Sequence, residues 1–297
     1  MLRPKEDLYA RLRLLRAISV KLARLKGTGL PRISERLRAW HQKHWQGGEV
    51  EISDYKGSLR LAVDLCDHMG SRIFWFDSYS GTEVNLVKKL LRAGDVFIDV
   101  GANIGEFTLP AARLVGPNGK VIAIEPVPAI RAKLERHIQW NGLAPAITVV
   151  AEAIGDHEGS ASIFGPPYDA QERHDGLPTM FSSAERPLKI AEVRQTTLDV
   201  LWSGLGLEKI SGIKLDIEGA ELPALRGGID VLKRFRPWLL CEIGTDTCEA
   251  AGYTPWELVE LLLSLGYRVS QIRESGLTDI NCEQDLSPWQ NVLAQVE

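Results

Sequence analysis

No apolar run in this chain approaches the ~18 residues that span a bilayer, so a transmembrane helix is not expected. Cysteine is scarce: Cys66, Cys241, Cys248 and Cys282 show neither paired metal-ligand spacing nor a dense disulfide pattern. The six histidines form no His-x-x-x-His cluster, which argues against a zinc site of that kind. There is no Gly-x-Ser-x-Gly elbow and no Walker loop. The N-terminal stretch is basic but interrupted by charges every few positions, unlike a secretory signal. Reduced thiols and a cytoplasmic location are the expectation.

What is present is ordinary in amount and uneven in placement. Apolar residues make up 44% of the 297 and charged residues 25%, enough for one α/β domain and an appendage. Residues 1–48 carry twelve Lys and Arg against three acids, while the remainder carries 23 basic against 36 acidic residues. An acidic main body speaks against a nucleic-acid substrate, because phosphate binding needs positive surface beside the site.

Residues 5–25 repeat Leu8, Leu12, Leu15, Ile18, Leu22 and Leu25 at helical spacing, with arginines on the other face. Gly27, Gly29 and Pro31 end that stretch, and a second helix is expected over about 33–45. Such a basic helical segment, 1–48, packs on the rest of the chain or on a second copy, or meets a protein partner or the inner face of a membrane. Over 49–80 the pattern shortens to β-like runs separated by Lys56-Gly57-Ser58 and Met69-Gly70-Ser71, read as a hairpin or small sheet. From 81 to 297 strands and helices alternate. Strands are expected at 96–100, 120–124, from 147, at 210–217 and at 238–243, with helices at 104–114, 128–140, 220–235 and 255–265. Segments 267–272 and 291–296 make a closing antiparallel pair, and polar 165–187 reads as a variable insertion. The alternation implies an α/β fold: a doubly wound, mostly parallel sheet with helices on both faces.

The strongest local signal is the strand ending in Asp99 that runs into Gly101-Ala102-Asn103-Ile104-Gly105. Glycines there let backbone approach a ligand closely, yet the middle glycine of the dinucleotide fingerprint is missing. A nucleoside with an amino-acid tail fits better than a pyrophosphate. Glu125 stands at the tip of the next strand, where a carboxylate accepts two ribose hydroxyls. At the third tip Glu152 can accept from an adenine amino group while Ala153 lines the ring. In the fourth strand Lys214, Asp216 and Glu218 alternate onto one face, costly unless they pair or face a cleft. Glu218 and Glu221 could equally serve the following helix N-terminus. Glu242, ending the fifth strand, is a second candidate acid beside Asp216.

Together Asp99-Val100-Gly101-Ala102-Asn103-Ile104-Gly105, Glu125-Pro126, Gly155-Asp156, Thr197-Leu198-Asp199 and Lys214-Leu215-Asp216-Ile217-Glu218-Gly219-Ala220-Glu221 resemble the FkbM family over about residues 80–270. Residues 1–50 and most of 165–187 lie outside that pattern. The resemblance implies a seven-stranded Rossmann-like methyltransferase sheet, S-adenosylmethionine as cofactor, and a hydroxyl acceptor on a small molecule, glycan or polyketide. On this reading Asp99, Gly101, Asn103, Gly105, Glu125, Glu152 and Ala153 serve the cofactor. Asp216 and Glu242 serve catalysis, as general base or as ligands of a Mg²⁺ ion. The rival readings are a methyltransferase of RNA or protein, a non-catalytic cofactor-binding scaffold and a nicotinamide dehydrogenase.

Overall fold

The computed structural model describes residues 4–25, 31–45, 48–166, 178–184 and 186–296, with side chains from residue 11 onward. The chain divides into two compact units, one formed chiefly by residues 1–81 and the other by 82–167 with 177–297.

The first unit opens with helices α1 (Pro4–Ala23) and α2 (Pro31–His44), then a hairpin of β1 (Glu49–Tyr55) and β2 (Leu59–Asp64), then helix α3 (His68–Phe76). Lys56 and Gly57 at the hairpin tip both take positive φ, 45° and 99°, as a tight turn between right-twisted strands demands. The β-like reading of 68–76 is corrected: those residues are helical. Asp67 caps the helix by accepting from Gly70 N at 2.6 Å, and that local bond outweighs the strand preference of Ile73, Phe74 and Trp75.

Nor do residues 1–48 stand apart from the hairpin region. Arg16, almost fully buried in α1, donates to the carbonyls of Ile73 (2.9 Å) and Phe74 at the end of α3, and pairs with Asp54 (2.8 Å) and Asp77 (3.0 Å). Ser19 Oγ donates to Trp75 O, and Ser34 Oγ ties α2 to Ser19 O. Five donors in a fixed fork let one arginine serve four acceptors.

The second unit begins with α4 (Gly81–Leu90), whose first residue closes the preceding unit, and continues as β3 (Val96–Val100), α5 (Thr108–Val115), β4 (Lys120–Ile124), α6 (Pro128–Trp140) and β5 (Ile147–Val150). A small sheet follows from β6 (Ala153–Ile154), β7 (Gly159–Gly165) and β8 (Leu188–Thr196), in the order β6-β8-β7. The chain returns through α7 (Leu198–Leu205), β9 (Gly212–Leu215), α8 (Glu221–Arg226), α9 (Ile229–Phe235), β10 (Trp238–Gly244), α10 (Thr245–Ala250) and α11 (Pro255–Ser264). It ends in β11 (Arg268–Arg273), β12 (Gly276–Asp279) and β13 (Trp289–Gln295). The main sheet runs β12-β11-β13-β10-β9-β3-β4-β5, with β10 to β5 parallel and the other three joined antiparallel. Among the described residues it has eight strands; β12, a short exposed edge, is the one beyond the expected seven. The insertion is the tip of the β7–β8 hairpin, and its residues 167–177 and 185 lie outside the described set.

Two expected helices change extent for backbone reasons. The one expected at 104–114 starts at Thr108, since Asn103 (φ 48°) and Gly105 (φ 100°) leave the right-handed helical region. The one expected at 220–235 splits at Gly227, where a Cβ would collide with Gly155 O. Sheet order reverses between β3 and β9, and in open α/β sheets ligands bind outside the strand ends at that reversal. No helix among the described residues is long and apolar enough to cross a membrane.

Arg16 generates the first prediction. Arg16→Met should leave Asp77 with only the exposed Arg24, at 3.4 Å, strip the Ile73 and Phe74 carbonyls of their donor, and destabilise the first unit by about 3 kcal/mol. Arg16→Lys should recover only part of that loss, since one ammonium cannot reach all four acceptors. Hydrogen exchange through residues 68–77 reads the effect; unchanged protection in the Met variant would exclude it.

Candidate functional site

The site is built around a buried cation. Lys214, in β9, places Nζ 2.8 Å from Gly101 O and 3.3 Å from Val100 O, and 3.4 Å from both Asp99 Oδ1 and Asp216 Oδ2. The Phe107 ring lies against it, with Nζ 5.2 Å from the centroid. Burial opposes the charge, but Asp216 and Asp99 hold the ammonium well above the ordinary lysine range. Sequence reasoning had this lysine as no more than a partner for Asp216. The usable signal was its position on a strand that is otherwise apolar.

Asp99 is a correction. It is 0% exposed, accepts from Thr108 Oγ1 at 2.6 Å and faces Lys214, so it lies beneath the glycine turn and does not line a cofactor cleft. Burial raises its carboxyl above the usual range despite Lys214.

The turn itself is close-packed against protein. Gly101 has φ 79°, and a Cβ there would drive into Asp216 O and crowd Ile217 Cγ2. At Gly105 a Cβ would meet Leu134 Cδ1 and Leu109 Cγ at 3.0 and 3.1 Å. Both glycines therefore admit neighbouring chain where the sequence reading had them admit a ligand. Asn103 takes φ 48°, and its side chain accepts from Ile104 N at 2.7 Å.

Glu125 stands beside that turn at the end of β4. Its two oxygens accept from Asn103 N (3.0 Å) and Val127 N (2.9 Å), and it is 5% exposed. Burial pushes its carboxyl up to about 7, against those two bonds and the more distant Lys214 and Arg131. Ala153 is buried, and Glu152 is held by Arg194 (Nε to Oε1, 3.1 Å).

Beyond β9 the chain makes a loop that presents acids. Glu221, buried, turns back to accept from Ile217 N (2.7 Å) and Gly219 N (2.9 Å), which makes it the loop's internal brace. Glu218 (φ 57°) and Gly219 (φ 105°) lie consecutively in left-handed conformation, and Gly219 has no room for a Cβ against Thr247 O. Asp216, Glu218 and Glu242 thereby gather, with one oxygen of each within 4.8 Å of the others. Glu242 accepts from Trp289 Nε1 and shares a hydrogen bond with Asp216.

These three acids titrate differently. Burial penalises the charge on Asp216, but the Lys214 ammonium and the bond from Glu242 outweigh it and hold the carboxyl below the ordinary range. Glu242 goes the other way: burial, Asp216 and the bond it donates to Asp216 raise it far above that range. The pair thus gives up its protons in two steps, Asp216 before Glu242. Glu218 is pushed up to about 7 by burial, against the pull of Arg186 at 2.9 Å. Glu221 also rises to about 7 through burial.

The described end of the insertion lies against this loop. Thr179 Oγ1 donates to Glu218 O at 2.7 Å, Phe181 approaches Gly219, and Arg186 holds Glu218. These residues, with Ser183, Asp246, Thr247 and Ala250, line a cavity of ≈ 60 Å³. Glu218 and Arg186 were not among the residues singled out for catalysis from sequence. Arg186 carried no local signal, because its partner lies 32 residues away.

The model of the methyltransferase FkbM domain matches residues 99–269, more than half of the chain. Among curated proteins, the AMB antimetabolite synthetase AmbE of Pseudomonas aeruginosa is 27% identical over 261 residues, covering 78% of this chain but 12% of that protein. The chain is thus similar to a small part of that much longer relative. Methyltransferase sdnD of Sordaria araneosa is 25% identical over 213 residues, 64% of this chain and 80% of that one. Among solved structures, a methyltransferase FkbM from Methylobacillus flagellatus KT aligns at a TM-score of 0.44 and 19% identity, over 70% of this chain and 45% of that one. The domain match spans both the glycine turn and the acid loop, and the chain belongs to the FkbM methyltransferase family.

Proposed function

We propose that this methyltransferase takes its methyl group from S-adenosylmethionine and delivers it to a hydroxyl of a small-molecule or glycan acceptor. The observation that carries this reading is the gathering of Asp216, Glu218 and Glu242 beside the glycine turn at the reversal of the sheet. A hydroxyl is a poor nucleophile until it loses its proton, and carboxylates placed there can take one.

The residues at the turn fit the cofactor. Each oxygen of Glu125 already takes one backbone N–H and can accept a second bond, so a carboxylate of fixed orientation retains acceptor capacity for two ribose hydroxyls. Gly101, Asn103 and Gly105 shape the turn alongside, and Ala153 provides an apolar wall at the third tip. Bound there, the cofactor supplies an electrophilic methyl group on a sulfonium. The chain's own residues orient the acceptor and move its proton.

Among the acids, Glu218 has the proton affinity best matched to neutral pH, with Arg186 keeping a share of it ionised. Asp216 stays anionic against Lys214 and takes the proton of Glu242 in a hydrogen bond, so that pair fixes the local charge and can orient a hydroxyl. The cavity beside Glu218 provides room for part of an acceptor. Three carboxylate oxygens so spaced also suit a Mg²⁺ ion, which would acidify the hydroxyl instead.

The reading is tested by incubating small-molecule extracts from cells lacking the gene with the protein and S-adenosylmethionine. Mass spectrometry should find a product heavier by one methylene; methylation only of RNA or protein in the same extracts would overturn the acceptor class. Loss of activity in EDTA, restored by Mg²⁺, selects the metal route, and indifference selects a carboxylate base. Glu218→Gln should lower turnover by about 10²–10⁴-fold. Asp216→Asn should also lower it while leaving S-adenosylhomocysteine binding in place. Near-normal turnover in both variants would remove the acids from the reaction.

Cofactor affinity should depend on pH through Glu125. Its raised value means the carboxyl is largely protonated below about 7 and must lose that proton to accept two hydroxyls. Calorimetry with S-adenosylhomocysteine should therefore show affinity rising from pH 6 to 8 and then levelling. Glu125→Gln should flatten that rise and cost about 2–4 kcal/mol through lost charge-assisted bonds. Alanine is the poorer probe, because it also strands two backbone N–H groups. A wild-type affinity independent of pH would refute the role.

A further inference from the structure

We propose that the α1–α2 pair is a docking surface for an anionic lipid bilayer. The proposal stands apart from the chemistry of the second unit.

Among the described residues, ten large hydrophobic side chains are exposed; four of them, Leu14, Ile18, Ile33 and Trp40, lie on this short pair, and a fifth, Leu25, follows just after α1. Their spacing is orderly. Leu14 and Ile18 are four apart on α1, and Ile33 and Trp40 are seven apart on α2, so each couple shares a helix face. The inward face of α1 is a different one, carried by Leu12, Arg16 and Ser19, all nearly fully buried. The helix is thus anchored on one side and presents apolar groups on the other.

Charge selects the occupant. Arg13, Lys21, Arg36 and Lys43 are exposed around those side chains, and the acid of α2, Glu35, is engaged by Arg38 at 2.6 Å. Leucine and isoleucine on a basic helix match an acyl boundary under anionic headgroups, with lysine and arginine stems reaching back to the phosphates. Trp40, exposed and stacked on His44 at 4.9 Å, has the amphipathic character of the interfacial zone. RNA would use the positive charge but leave the aliphatic side chains without a role.

The test is flotation of the full-length protein with two kinds of vesicle, pure phosphatidylcholine and phosphatidylcholine with phosphatidylglycerol. Binding should appear on the anionic vesicles and fall about tenfold as NaCl rises from low to high concentration. The double variant Ile18→Ser, Trp40→Ser should lose about tenfold in partitioning at low salt, and so should Arg13→Glu, Lys21→Glu. All four positions are exposed, so melting should match wild type, and a variant that melts lower is replaced by Leu14→Ser with Arg36→Glu. Equal binding to both vesicle types would overturn the proposal. So would a lack of flotation, including a case where the protein dimerises and the same variants abolish dimerisation.

Discussion

One buried ammonium organises the catalytic unit. Lys214 reaches Asp99 within β3, Asp216 beyond β9, and the carbonyls of Val100 and Gly101 where the strand becomes the glycine turn. A lysine placed so deeply is expensive unless its charge is answered, and here two carboxylates and two carbonyl dipoles answer it. Those partners belong to the segments that carry the glycine turn and the acids. Strand pairing alone sets Asp99 opposite Lys214. The cation extends that alignment past the last paired residue, into backbone with no ladder of its own.

Electrostatic order then spreads outward from the cation. Asp216, next to Lys214, is held below the ordinary range; Glu242, hydrogen-bonded to Asp216, is raised well above it; and Glu218, 2.9 Å from Arg186, rises to about 7. Like charges this close resist ionising together, and Lys214 with the bond from Glu242 favours ionisation of Asp216 over its neighbours. Glu221, which braces the loop through Ile217 N and Gly219 N, adds its own repulsion and raises Glu218 and Glu242 further.

The alternation of strands and helices was legible because buried parallel strands read as short apolar runs. The segments 96–100, 120–124 and 238–243 match β3, β4 and most of β10. The gathering of Asp216 with Glu242 was also anticipated, since both end neighbouring strands on one edge. What escaped was decided by backbone and by distant partners. Asp67 caps an aromatic run as a helix, and the Gly227-Gly228 pair leaves the helical region (ψ 1° and 20°) where close chain at Gly155 O admits only glycine at 227. Asp99 looked like a ligand contact by position, yet Thr108 and Lys214 consume it. Arg16 read as one more basic residue of an amphipathic helix, and nothing nearby in sequence marked it as the centre of its unit.

Glu218 has a further implication. An L-residue held at φ 57° without the freedom of glycine costs roughly 1–2 kcal/mol, and asparagine or glycine would bear that conformation more easily. Either replacement would relax the loop and delete its carboxylate in the same stroke. The relief is set against a stranded Arg186, so selecting variants for heat resistance alone should still retain glutamate at position 218.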